Sequence, residues 1–459
     1  MKLPKIIETI SKELIKKNAK AIVVGGSVRD HFLELSIKDY DVEVYGLDSL
    51  EELENILSKY GSVNLVGKSF GVLKFVYDRE EYDFSLPRTE KKVSEGHRGF
   101  DVSCDGELSF KEASLRRDFT VNALGYDIEK KVFIDPYGAK EDMKKRCLRH
   151  INDKTFKEDP LRVYRAVQFC ARFSYRLADK TFKLCKDMVE EGMLEELPKE
   201  RVFMEFKKLL LKSPKPSRGF ELMRELGILK YYPELEAIIN VPQSPKWHPE
   251  GDVWVHTLMC VDKMVMLKIG DEKHDLKMMF AILCHDLGKA THTQIMPDKI
   301  SAIGHELAGV KPTENFLYRL TDEHDFIKSI LPLIEHHLAP SIYYRGKAKN
   351  STIRRLSTKV NIEELVTVAR ADFLGRTTTE SLSGIYKAGD WLLKKAEELD
   401  VYNKPLRPLL QGRDLIALGI EPSKKYKILL DSVYKEQIEG KLVHKEDAIL
   451  YLLKLFKKI

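Results

Sequence analysis

The sequence contains no Cys-x-x-Cys pair, no Gly-x-x-x-x-Gly-Lys-Ser/Thr phosphate loop and no Gly-x-Gly-x-x-Gly dinucleotide fingerprint. Its six cysteines, Cys104, Cys147, Cys170, Cys185, Cys260 and Cys284, are scattered, which argues against a disulfide framework or a zinc–thiolate site. The expected compartment is the cytoplasm. No apolar run approaches the roughly 18 residues of a membrane span, so no membrane association is expected. The N-terminal MKLPKIIETISKELIKK is interrupted by charges and reads as an amphipathic helix, not a signal peptide. Excess charge of one sign is scarce too: 77 Lys and Arg against 71 Asp and Glu leave +6. That excludes a histone-like polycation but leaves room for local basic surfaces facing an anionic partner. With 43% hydrophobic residues, 18 Pro and 26 Gly in 459 residues, collagen-like, low-complexity and wholly disordered chains are excluded. The length accommodates about three domains with real cores.

Composition shifts along the chain. Residues 1–150 alternate short β-like runs (AIVVGG, VLKFVY, EYDFS, KVFIDP) with helical stretches and turns, the pattern of an α/β domain with a small sheet. From about Glu158 apolar residues recur at helical spacing, as in Leu161, Tyr164, Val167 and Cys170, and the rest reads as helix. Pro-marked breaks at Ser213–Pro216, 241–249 and 403–410 divide that remainder. The predicted organisation is a head at 1–150, a helical neck and body at 151–235, a further helical domain at 236–395 and a helical C-terminal segment at 396–459.

Chemistry first appears in AIVVGGSVRDHFLELSIKDYDVEVYGL. A β-run enters Gly25-Gly26-Ser27 and a helix follows, a turn in which backbone N–H groups can approach phosphate. Asp39, Asp41 and Glu43 alternate with Tyr40, Val42 and Val44, so a β conformation puts the acids on one face. Carboxylates about 7 Å apart along a strand repel unless a cation lies between them, and Mg²⁺ carrying a triphosphate suits that place. A solvated polar face is the plainer reading of an isolated Asp-x-Asp; the Gly-Gly-Ser turn and Arg29 upstream favour metal. Asp83 on its own predicted strand is a further candidate carboxylate.

GGSVRD followed by KDYDVEV resembles the head of class II tRNA nucleotidyltransferases, the CCA-adding enzymes of the polymerase β superfamily. The similarity continues through YDFSLPRTEKK, LRRDFTVNALGYD, FIDPYGAKEDM and EDPLRVYRAVQFCARF. The resemblance implies a polymerase β-type α/β head followed by all-α neck and body, HD and tail domains. It implies that Asp39 and Asp41 bind catalytic Mg²⁺, that Gly26, Arg29, Arg117 and Asp118 hold the incoming nucleotide, and that Glu43 supports them from behind. Asp159 and Arg162, three apart, read from spacing alone as an i,i+3 ion pair on one helix face. A carboxylate and a guanidinium can also imitate a base-pairing edge, and the resemblance implies that they read CTP or ATP, with Arg165 touching the nucleotide as well. Many relatives carry Arg where this chain has Gln168. The segment RTEKKVSEGHRGF, 88–100, resembles the loop used in switching from C to A addition.

A second constellation comprises His256, Cys284-His285-Asp286-Leu287-Gly288-Lys289, His305, Glu335-His336-His337 and Asp372. Several imidazoles with two Asp suit Ni²⁺, Mn²⁺, Co²⁺ or Fe²⁺. The pattern resembles the HD phosphohydrolase superfamily, which implies His256, His285, Asp286 and Asp372 as ligands, with His305 and His336 as additional ligands or phosphate binders. KWHPEGDVWVHTLMCVDKM, LCHDLGKATHT and ADFLGRTTTES resemble the HD domain fused to CCA-adding enzymes of the bacterial multifunctional type. That implies hydrolysis of 2′,3′-cyclic phosphodiesters, 2′-nucleotides and small phosphate esters, and a part in 3′-end repair.

The expected function is template-independent CCA addition to tRNA from CTP and ATP. Acid-free basic stretches bearing Lys207, Lys208, Lys212 and Lys215, and Arg345, Lys347 and Lys349, are candidates for tracking phosphates of the acceptor stem and elbow. The rival readings are a CC- or A-adding specialist, a poly(A) polymerase, or an HD phosphohydrolase whose head only binds RNA. Monomer and homodimer are both compatible with the sequence. The tail resembles that of HD-type relatives, except that Ser423-Lys424-Lys425 stands where they usually have a Gly-containing turn.

Overall fold

A computed structural model describes residues 1–37, 39–64, 71–92, 100–104 and 108–457. The chain gathers into two units: Met1–Leu209 with Arg218–Ile228, and Leu210–Ser217 with Leu229–Ile459.

The first unit is built on strands β1 (Lys20–Val24), β2 (Tyr40–Tyr45), β3 (Ser62–Asn64), β4 (Val72–Tyr77), β5 (Glu80–Ser85), β6 (Arg88–Lys92), β7 (Phe100–Cys104), β8 (Gly125–Asp127) and β9 (Val132–Ile134). Seven of these form one sheet in the order β3-β4-β5-β2-β1-β8-β9, and β6 and β7 pair separately. In this sheet β2 and β5 run parallel; their register sets Asp41 beside Asp83, while Val24 of β1 faces Asp41 from the other side. Val23, Val24, Val42 and Val44 are buried, so burial of these β-branched side chains fixes the register that places the acids. The helix Lys5–Ile15 buries Ile6, Ile7, Ile10 and Leu14, as its amphipathic spacing predicts. Of the predicted switching loop, residues 93–99 lie outside the described residues.

The helix Leu161–Phe173 follows Pro160 and ends at Ser174, whose φ of 56° stops it. Asp159 therefore precedes the helix instead of sharing a face with Arg162, because Pro160 caps the helix and Leu161 is its first residue. Gln168 is buried on this helix.

The second unit is helical. Helices Val253–Val265, Glu272–Cys284 and Ile362–Gly375 pack against one another. Each starts on a capping side chain: Asp252 accepts from Val255 N, Asp271 from His274 N, and Asn361 from Glu364 N. The tail helices Gly412–Ala417, Lys425–Ile438 and Lys445–Phe456 close over their own core of Leu415, Leu429, Val433 and Leu452. Ser423-Lys424-Lys425 opens the middle helix without glycine: Lys424 is its N-cap, and the Ser423 hydroxyl accepts from Lys425 N at 3.3 Å. No helix among the described residues is long and apolar enough to cross a membrane.

Candidate functional site

In the first unit a cavity of about 350 Å³ is lined by Gly25, Gly26 and Asp41 from the sheet side, by Arg116, Arg117, Asp118 and Asn122, and by Asp159, Arg162 and Arg165. Gly25 turns the chain out of β1 with φ of 71°, and a Cβ there would sit 2.8 Å from Arg117 Nη1, so the position requires glycine on both counts. Asp41 opens into this cavity. Crowding by protein, with Asp83, Asp39 and Glu43 adding their charge, pushes its carboxyl above the ordinary value against the pull of Arg117. Asp39 is exposed and precedes β2, so the strand carries Asp41 and Glu43 but not all three acids.

Glu43 is buried and fully occupied. It accepts from Arg116 Nη2 at 3.1 Å, Arg117 Nη2 at 2.8 Å and the Tyr45 hydroxyl at 2.9 Å. Burial alone would raise its pKa; the two guanidinium groups outweigh that and hold it below the ordinary value. Asp118 is buried too, accepting from Asn122 Nδ2 at 2.8 Å and Arg165 Nε at 2.7 Å, and burial is again overcome by a guanidinium, so its pKa is lowered. Arg29 donates to Asn122 Oδ1 at 2.6 Å and Asp30 Oδ1 at 2.8 Å, with the Phe173 ring 4.8 Å from its guanidinium. The polar groups flanking the cavity are thus braced before any ligand binds.

Asp159 and Arg162 face the same cavity without pairing. Arg162 donates to the carbonyl oxygens of Thr155 at 2.8 Å and Arg116 at 2.6 Å, which fixes its fork. Asp159 accepts instead from Arg201 Nη2 at 3.1 Å. Arg201, from the helix Lys199–Lys212, also lines the cavity and was missed by sequence reasoning; a lone Arg in a basic helix carries no local signal. Gln168 is not among the lining residues, and its Nε2 is buried without a hydrogen-bond partner among the described residues.

In the second unit His256 rises from Val253–Val265, His285 caps the end of Glu272–Cys284 with Asp286 next, and Asp372 lies on Ile362–Gly375. All four are buried. Gly288 lets the His285–Asp286 turn lie against the helix His305–Ala308, since a Cβ there would meet His305 O at 2.0 Å. His256 Nε2 is 3.1 Å from Asp372 Oδ1, and His285 Nε2 is 3.2 Å from Asp286 Oδ2. His256 Nδ1 lies 2.8 Å from Glu250 Oε1, and His285 Nδ1 lies 2.7 Å from Ile282 O. With Nδ1 donating to oxygen, a neutral ring at either position has its Nε2 lone pair aimed at carboxylate, which is the arrangement of a metal site. His285 Nε2 is buried and meets no hydrogen-bond geometry among the described residues, consistent with that fit, while Asp286 Oδ2 is also faced by the Lys289 ammonium.

Burial opposes a charge on His256, yet Cys260, Asp372 and Glu250 push it up to about 10, so its surroundings favour a cation at Nε2. Burial would raise Asp286 and Asp372 as well; His285 and Lys289 hold the former well below the ordinary range, and Arg376 the latter. Lys289 Nζ is 2.7 Å from Asp286 Oδ2, and Arg376 Nη2 is 2.7 Å from Asp372 Oδ2. His305 joins this group, with Nε2 3.2 Å from Asp286 Oδ1. The other histidine to join it is His337 and not His336. His337 is buried with Nε2 3.3 Å from that of His305, whereas His336 points to Glu335 at 3.6 Å. Adjacent helical residues differ in direction by about 100°, so only one of the pair can face inward. Lys289, part of the sequence constellation, is a further polar neighbour, and Glu250, Cys260 and Arg376 are others that sequence reasoning did not select.

A cavity of about 870 Å³ opens onto Asp286, His305, His337 and Asp372, with Lys289 and Arg376 in its wall and Trp247, Tyr344 and Arg345 also lining it. Arg345 therefore faces this cavity. Lys347 and Lys349 are exposed in the same unit. Lys207 and Lys208 belong to the first unit and are half-buried; Lys212 and Lys215 belong to the second and are exposed.

The poly A polymerase head domain family matches residues 21–149, the probable RNA and SrmB-binding site of polymerase A matches 174–239, and the HD domain family matches 253–376. A multifunctional CCA protein of Pasteurella multocida is 36% identical over 420 residues, covering 87% of this chain and 96% of its own. One from Pseudoalteromonas atlantica is 34% identical over 370 residues, covering 78% and 86%. Among solved structures, the Bacillus stearothermophilus CCA-adding enzyme in complex with CTP aligns with a TM-score of 0.67 at 21% identity, covering 100% of this chain and 99% of its own. The Thermotoga maritima CCA-adding enzyme complexed with tRNA aligns at 0.59 and 20% identity, covering 99% and 96%. At such identities these structures speak to the fold.

Proposed function

The chain belongs to the multifunctional CCA proteins, CCA-adding nucleotidyltransferases that carry an HD phosphohydrolase domain, and we propose how its two sites divide the work. The head, 1–150, and the helical segment 151–235 complete tRNA 3′ ends from CTP and ATP. The segment 236–395 hydrolyses phosphoesters at damaged ends, and 396–459 is a helical tail. A cytoplasmic setting fits this work.

The observation that carries the head reading is the convergence of residues distant in sequence, Asp41, Arg117, Asp159, Arg162 and Arg165, on one cavity. Asp39 and Asp41, with Asp83 beside Asp41, would hold Mg²⁺, which when bound would neutralise charge on the triphosphate. Gly25 and Gly26 admit the phosphates, and Arg117 and Arg165 offer them positive charge. Glu43 and Asp118 hold those two arginines at set positions. Arg162, its fork fixed by two carbonyls, donates to the base edge, while Asp159 accepts from the exocyclic amine that C and A share. Uracil and guanine present a carbonyl there and would leave Asp159 facing an acceptor.

In the HD site His256, His285, Asp286 and Asp372 would hold a divalent transition ion of the Ni²⁺, Mn²⁺ or Co²⁺ type, which when bound would supply Lewis-acid chemistry for phosphoester hydrolysis. Lys289 and Arg376 bring positive charge to the phosphate. Trp247 and Tyr344 offer rings to a terminal nucleoside.

One tRNA transcript ending in no CCA, C or CC, incubated with Mg²⁺ and labelled CTP, ATP or both, tests the head. Ordered addition stopping at CCA, and lost in Asp39→Ala/Asp41→Ala, is the expected result. Arrest at CC, a start only from CC, or long A tails would replace it with one of the rival polymerases. A tRNA ending in 2′,3′-cyclic phosphate tests the second site: it should become a primer only after treatment with metal-loaded protein.

A further inference from the structure

In the first unit, guanidinium groups alternate with phenylalanine rings along the helix Leu161–Phe173. Arg165 lies 5.2 Å from the Phe169 centroid, Arg29 lies 5.4 Å from Phe169 and 4.8 Å from Phe173, and Arg172 lies 4.9 Å from Phe173. The row starts in the nucleotide cavity and leaves it: Arg165, Phe169 and Arg29 line the wall, whereas Phe173 and Arg172 do not. It leaves at the glycine turn, where a Cβ on Gly26 would sit 3.5 Å from Arg29 Nη2. Aromatic faces attract these cations without neutralising them, and the carboxylates along the row are unevenly shared. Asp118 accepts from Arg165 Nε at 2.7 Å, and Asp30 Oδ1 accepts from Arg29 Nε at 2.8 Å and Nη2 at 2.6 Å. Arg172 Nη2 lies 4.0 Å from Oδ2 of the same Asp30, and 25% of its side chain is exposed. Burial and the charge of Arg29 disfavour the Arg172 cation and lower its pKa, so an anion there would be stabilised. A second donor lies against the same ring. Tyr175, its centroid 5.8 Å from that of Phe173, is buried, and its hydroxyl has no hydrogen-bond partner among the described residues.

We propose that Arg172 and the Tyr175 hydroxyl form an anion site just outside the nucleotide cavity, and that it receives the pyrophosphate released by nucleotidyl transfer. This rests on reading the head as a nucleotidyltransferase. Pyrophosphate is compact and multiply charged, and it separates at the phosphate end of the cavity, beside Gly25 and Gly26. Arg29 is pinned by Asn122 and Asp30, so it cannot follow the leaving anion. Arg172, one ring further out and with a weaker hold on carboxylate, is the next cation on the way to solvent. The base end of the nucleotide lies toward Asp159 and Arg162, and Arg172 is no part of the cavity wall, so the site serves the product and not the incoming nucleotide.

Binding of labelled inorganic pyrophosphate to full-length protein, with Mg²⁺ and saturating CTP but no tRNA primer, tests the site. Pyrophosphate should bind the parent while CTP stays bound, and Arg172→Ala should raise its Kd at least tenfold, the worth of one charge-assisted hydrogen bond. The Kd for CTP in the same variant should change less than twofold, and Arg172→Lys should restore part of the pyrophosphate affinity. Full competition between pyrophosphate and CTP in the parent, or an unchanged pyrophosphate Kd in Arg172→Ala, overturns the proposal. An equal rise for both ligands would make Arg172 part of the triphosphate wall and rejects it too. Should Arg172→Ala lose CTP altogether, Tyr175→Phe decides: weaker pyrophosphate binding at unchanged CTP affinity supports the site, and equal binding rejects it. A parent that binds no CTP overturns the nucleotidyltransferase reading itself.

Discussion

Glu250 sits behind His256, its Oε1 2.8 Å from Nδ1, while Oε2 accepts from the backbone N of Thr377 at 3.0 Å. His248 Nδ1 shares Oε1 at 2.9 Å. Burial would raise the Glu250 carboxyl, but these bonds hold it well below the ordinary range, so it stays an anion and keeps His256 Nε2 turned to Asp286 and Asp372.

Glu250→Gln should therefore weaken metal binding by the HD domain about 10- to 100-fold. Equilibrium dialysis with Ni²⁺ measures this directly, and cyclic-phosphate hydrolysis should fall at limiting metal and recover in excess. CCA addition in the same preparation should be unchanged. Equal metal affinity in the variant would remove Glu250 from this role.

Glu43 is the counterpart in the head, a single buried anion under Arg116 and Arg117. Glu43→Gln leaves both guanidinium groups without their shared charge and should destabilise the head by about 3 kcal/mol, the low end for a broken buried pair because both arginines retain some solvent. Hydrogen exchange in β1 and β2 reports this without interference from the second unit. The pH dependence has a definite sign. With its folded pKa depressed, Glu43 contributes fully above the ordinary glutamate value of 4.5 and loses that contribution as pH falls through its folded pKa. Exchange in those strands should rise more steeply on acidification below about pH 4.5 in the parent than in the variant.

Arg201 holds Asp159 without occupying the other wall of the base site, so Arg201→Ala should loosen selection more than catalysis. The expected result is a fall of about tenfold in kcat/KM for CTP and ATP, the worth of one charge-assisted hydrogen bond, with a smaller fall for UTP. Competition between CTP and UTP on a primer lacking CCA measures it. A uniform loss across all three nucleotides would make Arg201 a phosphate contact.

Gly25→Ala places a methyl 2.8 Å from Arg117 Nη1 and forces an L-residue to φ of 71°. With ψ of −128° the position lies outside the left-handed helical region and the backbone alone costs about 1–3 kcal/mol, and Arg117 must also shift from the cavity. KM for the nucleotide should rise at least fivefold, with HD hydrolysis untouched. Steady-state kinetics of both reactions on one preparation settle the point.

Much of this protein was determined by local sequence. The run AIVVGG dictates a buried strand entering a tight turn, because β-branched residues fill the sheet core and glycine alone accepts the conformation at Gly25. The alternation in KDYDVEV brings Asp41 and Glu43 to one side of a strand, and the spacing after Glu158 dictates helices. His256, His285, Asp286 and Asp372 were identifiable as one set because the pattern resembles a known ligand set.

Tertiary structure alone decided the rest, since it depends on groups meeting across long stretches of chain. Asp39 and Asp159 fall just outside the elements that periodicity assigns them, because Tyr40 begins the strand pairing and Pro160 caps the helix. Arg201 meets Asp159 only through packing of two helices. His337 replaces His336 because one rotation along a helix decides which ring is buried, a phase that two adjacent histidines do not reveal. Glu43 as an anchor for two arginines, and Asp286 shared between two imidazole groups, follow from the same cause: a pattern marks which side chains are polar, and only folding brings them within charge-pairing distance.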